Sequence, residues 1–248
     1  MRIGCDLDGV LADLNRAFTT VAVRRYPELD VSAVTAAAVV AAAPGAIDAT
    51  DQSEEALAET PPTDGGTFAL TRRQMDETWK ELCAVPDFWE TLEEIEGGAV
   101  ARLAALAEAR QWEVVFLTSR PQSAGRLAQR QSQRWLDRKG FSFPSVYVVH
   151  KSRGRIAEAL ALDVVIDDRA ENCLDVALES KARAILIWRG AASSVPTSAK
   201  RLGIGVVPTV AACLDLLVEA DRSAETSVDF VQRLKRLLGL GSRAASRP

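Results

Sequence analysis

Histidine is nearly absent from this chain, with one, His150, among 248 residues. It is expected to be a bystander at a strand end, because carboxylates elsewhere supply an acid and a base and no serine or cysteine partner is indicated. Cysteine is scarce as well: Cys5, Cys83, Cys173 and Cys213 stand far apart, with no C-x-x-C spacing for zinc or redox work. They read as small buried hydrophobes in a reducing cytoplasm. Long apolar runs are missing too. The longest, Val31 to Ala43, is mostly alanine and stops at Pro44, too short to cross a bilayer, so no membrane span is expected. A strand beginning at residue 2 would leave no room for a secretory leader, and the expected location is the cytoplasm. Positive charge is not in excess: the net charge is −4 and the sequence pI about 5.3. No basic field recommends a nucleic-acid polymer as partner. What remains, 48% hydrophobic and 26% charged residues, is the composition of a soluble globular protein with length for one large or two modest domains.

The chain is organised around Arg2 to Leu14, RIGCDLDGVLADL. A short apolar strand runs into Asp6 and Asp8, one residue apart, and then Gly9. Residues i and i+2 of extended chain face the same way. The two carboxylates are therefore expected to converge, and they repel unless a cation or shared proton intervenes. Mg²⁺, which takes hard oxygen ligands from one or two carboxylates, waters and a substrate phosphate, answers that requirement. A D-x-D-G string also opens calcium loops and ordinary polar turns. The calcium rule is not met, because Leu7, Val10 and Leu11 are apolar where that loop needs oxygen.

Downstream, Leu14 to Arg25 has helical apolar spacing, residues 31 to 66 fit loose helix and loop, and a charged helix pattern runs from Thr71 to Cys83. About eighty residues thus separate the first strand from a second, which predicts an inserted helical cap rather than a loop. From Gly97 helix and strand alternate, with strands at Glu113 to Leu117, Val146 to Val149, Val164 to Ile166, Ala184 to Trp188 and Gly205 to Val207. Apolar strands alternating with helices predict an α/β fold, a Rossmann-like parallel sheet sandwiched by helices, with the helical cap inserted after the first strand. The expected division is a core of 1–14 and 96–220, a cap of 15–95, and a tail helix in 221–248. In that tail Val228, Val231, Leu234, Leu237 and Leu238 fall at helical spacing and are expected to cap the core.

Open parallel sheets bind ligands beyond the carboxyl ends of their strands. The expected strand ends deliver Asp6 and Asp8, then Thr118, Ser119 and Arg120, then His150 and Lys151, then Asp167 and Asp168. Singly, Thr118 or Ser119 reads as a helix cap, Lys151 as a solvated lysine and Asp167-Asp168 as a capped turn. Phosphate-competent groups at four consecutive strand ends read together as a site. Among the tryptophans, Trp79 and Trp89 fall in the expected cap, where they either pack or serve as ligand platforms.

In order and position, DLDGV, FLTSR, HK and VVIDDR resemble the signatures of the haloacid dehalogenase superfamily of phosphohydrolases. Within it, DLDGVLADL, FWETLEEIEGGAVARLAAL, LTSRP and IDDR look like the 5'(3')-deoxyribonucleotidase branch. The resemblance implies a Mg²⁺-dependent phosphatase, that is, a phosphoric monoester hydrolase and possibly a 5'-nucleotidase. Asp6 would be the nucleophile and Asp8 the acid–base, with Thr118, Ser119 and Lys151 on the substrate phosphate. The metal would rest on Asp6, the Asp8 carbonyl, Asp168 and Asp167, and Phe88, Trp89 or Trp79 would meet a nucleoside base. Asn172 stands where many members carry a further aspartate. The implied substrate is a small phosphorylated metabolite such as a (deoxy)nucleoside monophosphate; the alternative is a non-catalytic phosphate-binding or scaffolding member of the fold. Nothing in the sequence bears on oligomeric state.

Overall fold

The computed structural model describes residues 1–28, 70–149 and 151–224. His150, residues 29–69, which include the whole alanine-rich stretch, and the tail from Glu225 lie outside the described residues. Six strands form one parallel sheet: β1 (Arg2–Asp6), β2 (Glu113–Thr118), β3 (Ser145–Val148), β4 (Val164–Asp167), β5 (Arg183–Ile187) and β6 (Gly205–Val207). Their order across the sheet is β3-β2-β1-β4-β5-β6, so strand order reverses between β1 and β4. That is where an open α/β sheet leaves a crevice for a ligand.

Consecutive residues of each inner strand face opposite layers, as the two-residue period of extended chain requires. Val164, Ile166, Ile185 and Ile187 join the larger core, together with Cys5, Phe116, Trp135 and Leu214. Val165, Ala184 and Leu186 join the smaller one, together with Leu117, Ala157 and Cys173. The helices covering the sheet are α3 (Ala99–Arg110), α4 (Ala128–Arg138), α5 (Arg153–Ala159), α6 (Ala170–Glu179), α7 (Thr197–Arg201) and α8 (Val210–Ala224). Gly4 sits between the layers, where an added Cβ would come within 2.8 Å of the Leu162 side chain.

The described part of the insertion after β1 is helical. It comprises α1 (Leu14–Arg25), α2 (Arg72–Ala84) and a 3₁₀ turn, Phe88–Glu90, on the return path. Helix α1 opens on Asp13, whose carboxylate accepts from the Arg16 N–H at 2.9 Å. Helix α2 opens on a capping box, in which Thr71 accepts from Gln74 N–H and the Gln74 side chain accepts from Thr71 N–H at 2.8 Å. Met75, Thr78, Trp79 and Leu82, spaced three and four apart, make its buried face. Arg25 and Tyr26 of the α1 end meet Glu77 of α2 at 3.0 and 2.6 Å. Among the described residues no helix is long and apolar enough to cross a membrane.

Candidate active site

A narrow cleft opens at the carboxyl ends of β1, β2 and β4. Asp6 and Asp8 line its floor, Thr118, Ser119 and Arg120 one wall, and Arg153, Arg169 and Asn172 the other. Leu14, Trp79, Trp89 and Pro121 close it on the side of the cap.

Asp6 ends β1, in register with Leu117 of β2 and one residue beyond the Cys5–Ile166 pair with β4. Strand parity therefore sends Asp6 and Asp167 to the same side of the sheet, the side covered by α5 and α6. Arg153, at the first turn of α5, meets them there: its Nη2 donates to Asp6 Oδ1 at 2.8 Å, and its Nε lies 3.7 Å from Asp167 Oδ2. All three are nearly inaccessible to solvent, at 7%, 1% and 4% exposure for Asp6, Asp167 and Arg153. Burial holds the Asp6 carboxyl well above the ordinary carboxylate range, the nearby Asp167 charge raises it further, and Arg153 pulls it back.

Asp8 lies past the strand, where the two-residue period no longer holds. The chain turns back on itself, Gly9 N–H donating to Ala12 O at 3.0 Å and Leu11 N–H to Leu7 O at 2.9 Å. Leu7, Val10 and Leu11 are wholly buried, so apolar packing fixes the turn. Gly9 has φ +87°, and an added Cβ would fall 1.9 Å from an Asp168 carboxylate oxygen. Arg189, just after β5, clasps the same turn by donating to the carbonyls of Gly9 and Val10. Asp8 thereby faces α4 and takes its own arginine: Arg120 donates to Asp8 from Nε at 2.8 Å and from Nη2 at 2.8 Å, and the Thr118 hydroxyl donates at 3.2 Å. The two acids share the cleft, and each is tied to a separate guanidinium.

Several expected residues fall where the sequence placed them, and others do not. Asp6, Asp8, Thr118 and Ser119 line the cleft. Lys151 does not: it is solvent-exposed, because Ser152 caps α5 and the helix turns Arg153, two residues on, toward Asp6. The cation beside Asp6 is Arg153, and the only signal for it in the sequence is the second basic residue of HKSR. Arg120 was visible as a strand-end residue, but its pairing with Asp8 was not. Phe88 is buried and does not line the cleft. Trp79 and Trp89 line it with little accessible surface, packed on Phe18 and on one another at ring distances of 5.6 and 6.2 Å. Of the two readings, packing and ligand platform, these contacts supply the first.

The two acids at the β4 end have different surroundings. Asp167 accepts from Arg169 N–H at 2.9 Å and from Asn172 Nδ2 at 2.9 and 3.1 Å, so Asn172 anchors it. Asp168 has a buried Oδ1 with no hydrogen-bond partner. Its carboxyl is pushed up to about 8, first by burial and then by the Asp167 charge. Among the described residues no three acidic, histidine or cysteine side chains form a ready cluster for an ion. The donors nonetheless fit magnesium, which binds through one or two carboxylates plus water and other oxygens. Asp6 and the orphaned Asp168 oxygen are the two carboxylates on offer, with the Asp8 main-chain carbonyl.

A pH effect follows. A carboxyl raised in the folded state contributes stability that is complete below its ordinary value of 3.8 and lost as pH rises through about 8. In chelator the melting temperature is expected to fall from about pH 6 to about pH 9, and added Mg²⁺ to restore it more at the alkaline end, because binding needs the deprotonated ligand. Equal Mg²⁺ effects at both ends in thermal melts would remove Asp168 from the ligand set.

No family model and no curated protein matches the chain. Solved structures do. A HAD family hydrolase from Deinococcus radiodurans R1, determined with bound phosphate and sodium, is 16% identical, with a TM-score of 0.50 over 89% of this chain and 95% of that one. The likeness is one of fold. A hydrolase from Pseudomonas syringae is 12% identical with a TM-score of 0.47, covering 88% of this chain and 99% of that one.

Proposed function

We propose that the protein is a phosphomonoester hydrolase working through a phosphoryl group carried on Asp6, with Mg²⁺ as cofactor. The observation that carries the reading is the buried pair of acids one residue apart, each with its own arginine, at the sheet's switch point. Buried carboxylates are costly, and a fold that buries Asp6, Asp8 and Asp167 close together supports charge chemistry there.

Arg153 holds Asp6 Oδ1, leaving Oδ2 to attack the phosphorus. The Asp6–phosphorus ester bond forms as the bond to the substrate oxygen breaks, and Asp8 gives that oxygen its proton. Asp8 then takes a proton from water as the water oxygen displaces Asp6, releasing phosphate. Thr118, Ser119 and Arg153 suit the phosphoryl oxygens, which need donors and positive charge. Mg²⁺ bound by Asp6, the Asp8 carbonyl and Asp168 supplies further neutralisation of those oxygens.

The substrate is a small phosphate monoester, with a (deoxy)nucleoside monophosphate as the candidate that the sequence resemblance supports. Purified protein with Mg²⁺ and an aryl phosphate is expected to release phosphate, and EDTA to abolish the release. A panel of sugar, nucleoside and other alkyl phosphates then ranks substrates. No turnover on any of them would favour the non-catalytic phosphate-binding reading.

A further inference from the structure

We propose that Arg120 is the positioning residue for Asp8, and that Trp89 and Trp135 influence the reaction through Arg120 rather than by touching substrate. The inference rests on the phosphomonoesterase reading, in which Asp8 transfers the proton.

The Arg120 side chain has no exposed surface. Its guanidinium is fixed in its plane by Asp8 at two positions and by the Ser132 hydroxyl, which accepts from Nη1 at 2.9 Å. Its faces are fixed by indole rings, with the guanidinium carbon 4.9 Å from the Trp89 centroid and 5.9 Å from that of Trp135. Each ring is itself tethered: Trp89 Nε1–H donates to Pro121 O at 3.0 Å, and Trp135 Nε1–H to Leu92 O at 2.7 Å. A guanidinium held both edgewise and facewise has a single position, and it imposes that position on the carboxylate it grips. Trp89 belongs to the 3₁₀ turn that returns the chain from the cap, and Trp135 to α4. The orientation of the acid is therefore set where cap and core meet. The contact with Arg120 also gives the Trp89 ring a role in place of the expected base platform.

Proton transfer matters most when the leaving oxygen is a poor one. Arg120→Gln is therefore expected to lower kcat on an alkyl phosphate about 10²-fold, with KM little altered, and on nitrophenyl phosphate less than about tenfold. Trp89→Leu should show the same selectivity at smaller size. Arg120→Lys, which keeps the charge but not the fork, should fall between wild type and Arg120→Gln. In an Asp8→Asn background, Arg120→Gln should add less than about twofold on the alkyl substrate, because residues acting as a unit are not additive.

Equal losses on alkyl and aryl phosphates overturn the proposal, as do losses that multiply in the double variant. A Trp89→Leu change that raises KM for a nucleoside monophosphate with kcat intact overturns the role given to Trp89. If Arg120→Gln does not fold, Ser132→Ala and Trp89→Leu carry the same comparison. A wild type that hydrolyses no phosphate ester removes the enzymatic reading and this inference together. Leaving-group-independent losses in an active wild type remove the inference alone.

Discussion

Asp6→Asn is expected to reduce phosphate release by at least about 10⁴-fold on every substrate, aryl and alkyl alike, because removal of a covalent nucleophile leaves only binding and electrostatic stabilisation. The amide keeps the size of the side chain and relieves the buried charge that Asp167 and Asp168 oppose. The change also takes one partner from the buried Asp6–Arg153 pair, so activity is compared at a temperature at which circular dichroism shows both proteins folded. Rapid-quench or mass measurements with a slow substrate should find phosphate attached to wild-type Asp6 and none on the variant. Residual turnover above about a hundredth of wild type would place the nucleophile elsewhere, and Asp8 would be the next residue to test.

Arg153→Met should have the largest effect on stability. It leaves Asp6 and Asp167, both almost fully buried, without the guanidinium that lowers their carboxyls. Breaking a buried pair from one side costs about 3–5 kcal/mol. For a chain of this size that corresponds to roughly 6–20 °C in melting temperature. Both carboxyls are already raised in the folded state. Groups of that kind favour folding once protonated, so the deficit is expected to shrink as pH falls from about 7 to about 4. A deficit that stays constant over that range in thermal or denaturant unfolding would mean that Arg153 contributes packing alone. Lys151→Met, by contrast, changes an exposed side chain outside the cleft and should leave the midpoint within about 0.5 kcal/mol.

Much of the architecture was legible residue by residue. A helix was expected at Leu14 to Arg25 and a strand at Gly205 to Val207, and they occur over those spans. Apolar periodicity is a local property that the backbone expresses directly. Parallel pairing of every strand followed from the alternation of strands with helices, and the spacing of Asp6 from Asp8 was enough to propose a charged site. The order β3-β2-β1-β4-β5-β6 was not legible, because it depends on crossovers between segments far apart in sequence.

Neither were the partners of the acids, and for the same reason. Asp8 and Arg120 are 112 residues apart, and Asp6 and Arg153 are 147 apart. The choice of Arg153 over Lys151 depended on the exact residue at which α5 begins, a one-turn detail that decides which basic side chain faces the cleft and which faces water. The three cap aromatics were visible as bulk in the sequence. Only the packed structure could turn Trp89 against a buried guanidinium, since a ring's exposed face is decided by every neighbour it meets. The sequence alone thus determined the elements, the fold class and the acids at the strand ends. The tertiary structure decided how each acid is oriented, because orientation is set by contacts between layers that share no local sequence.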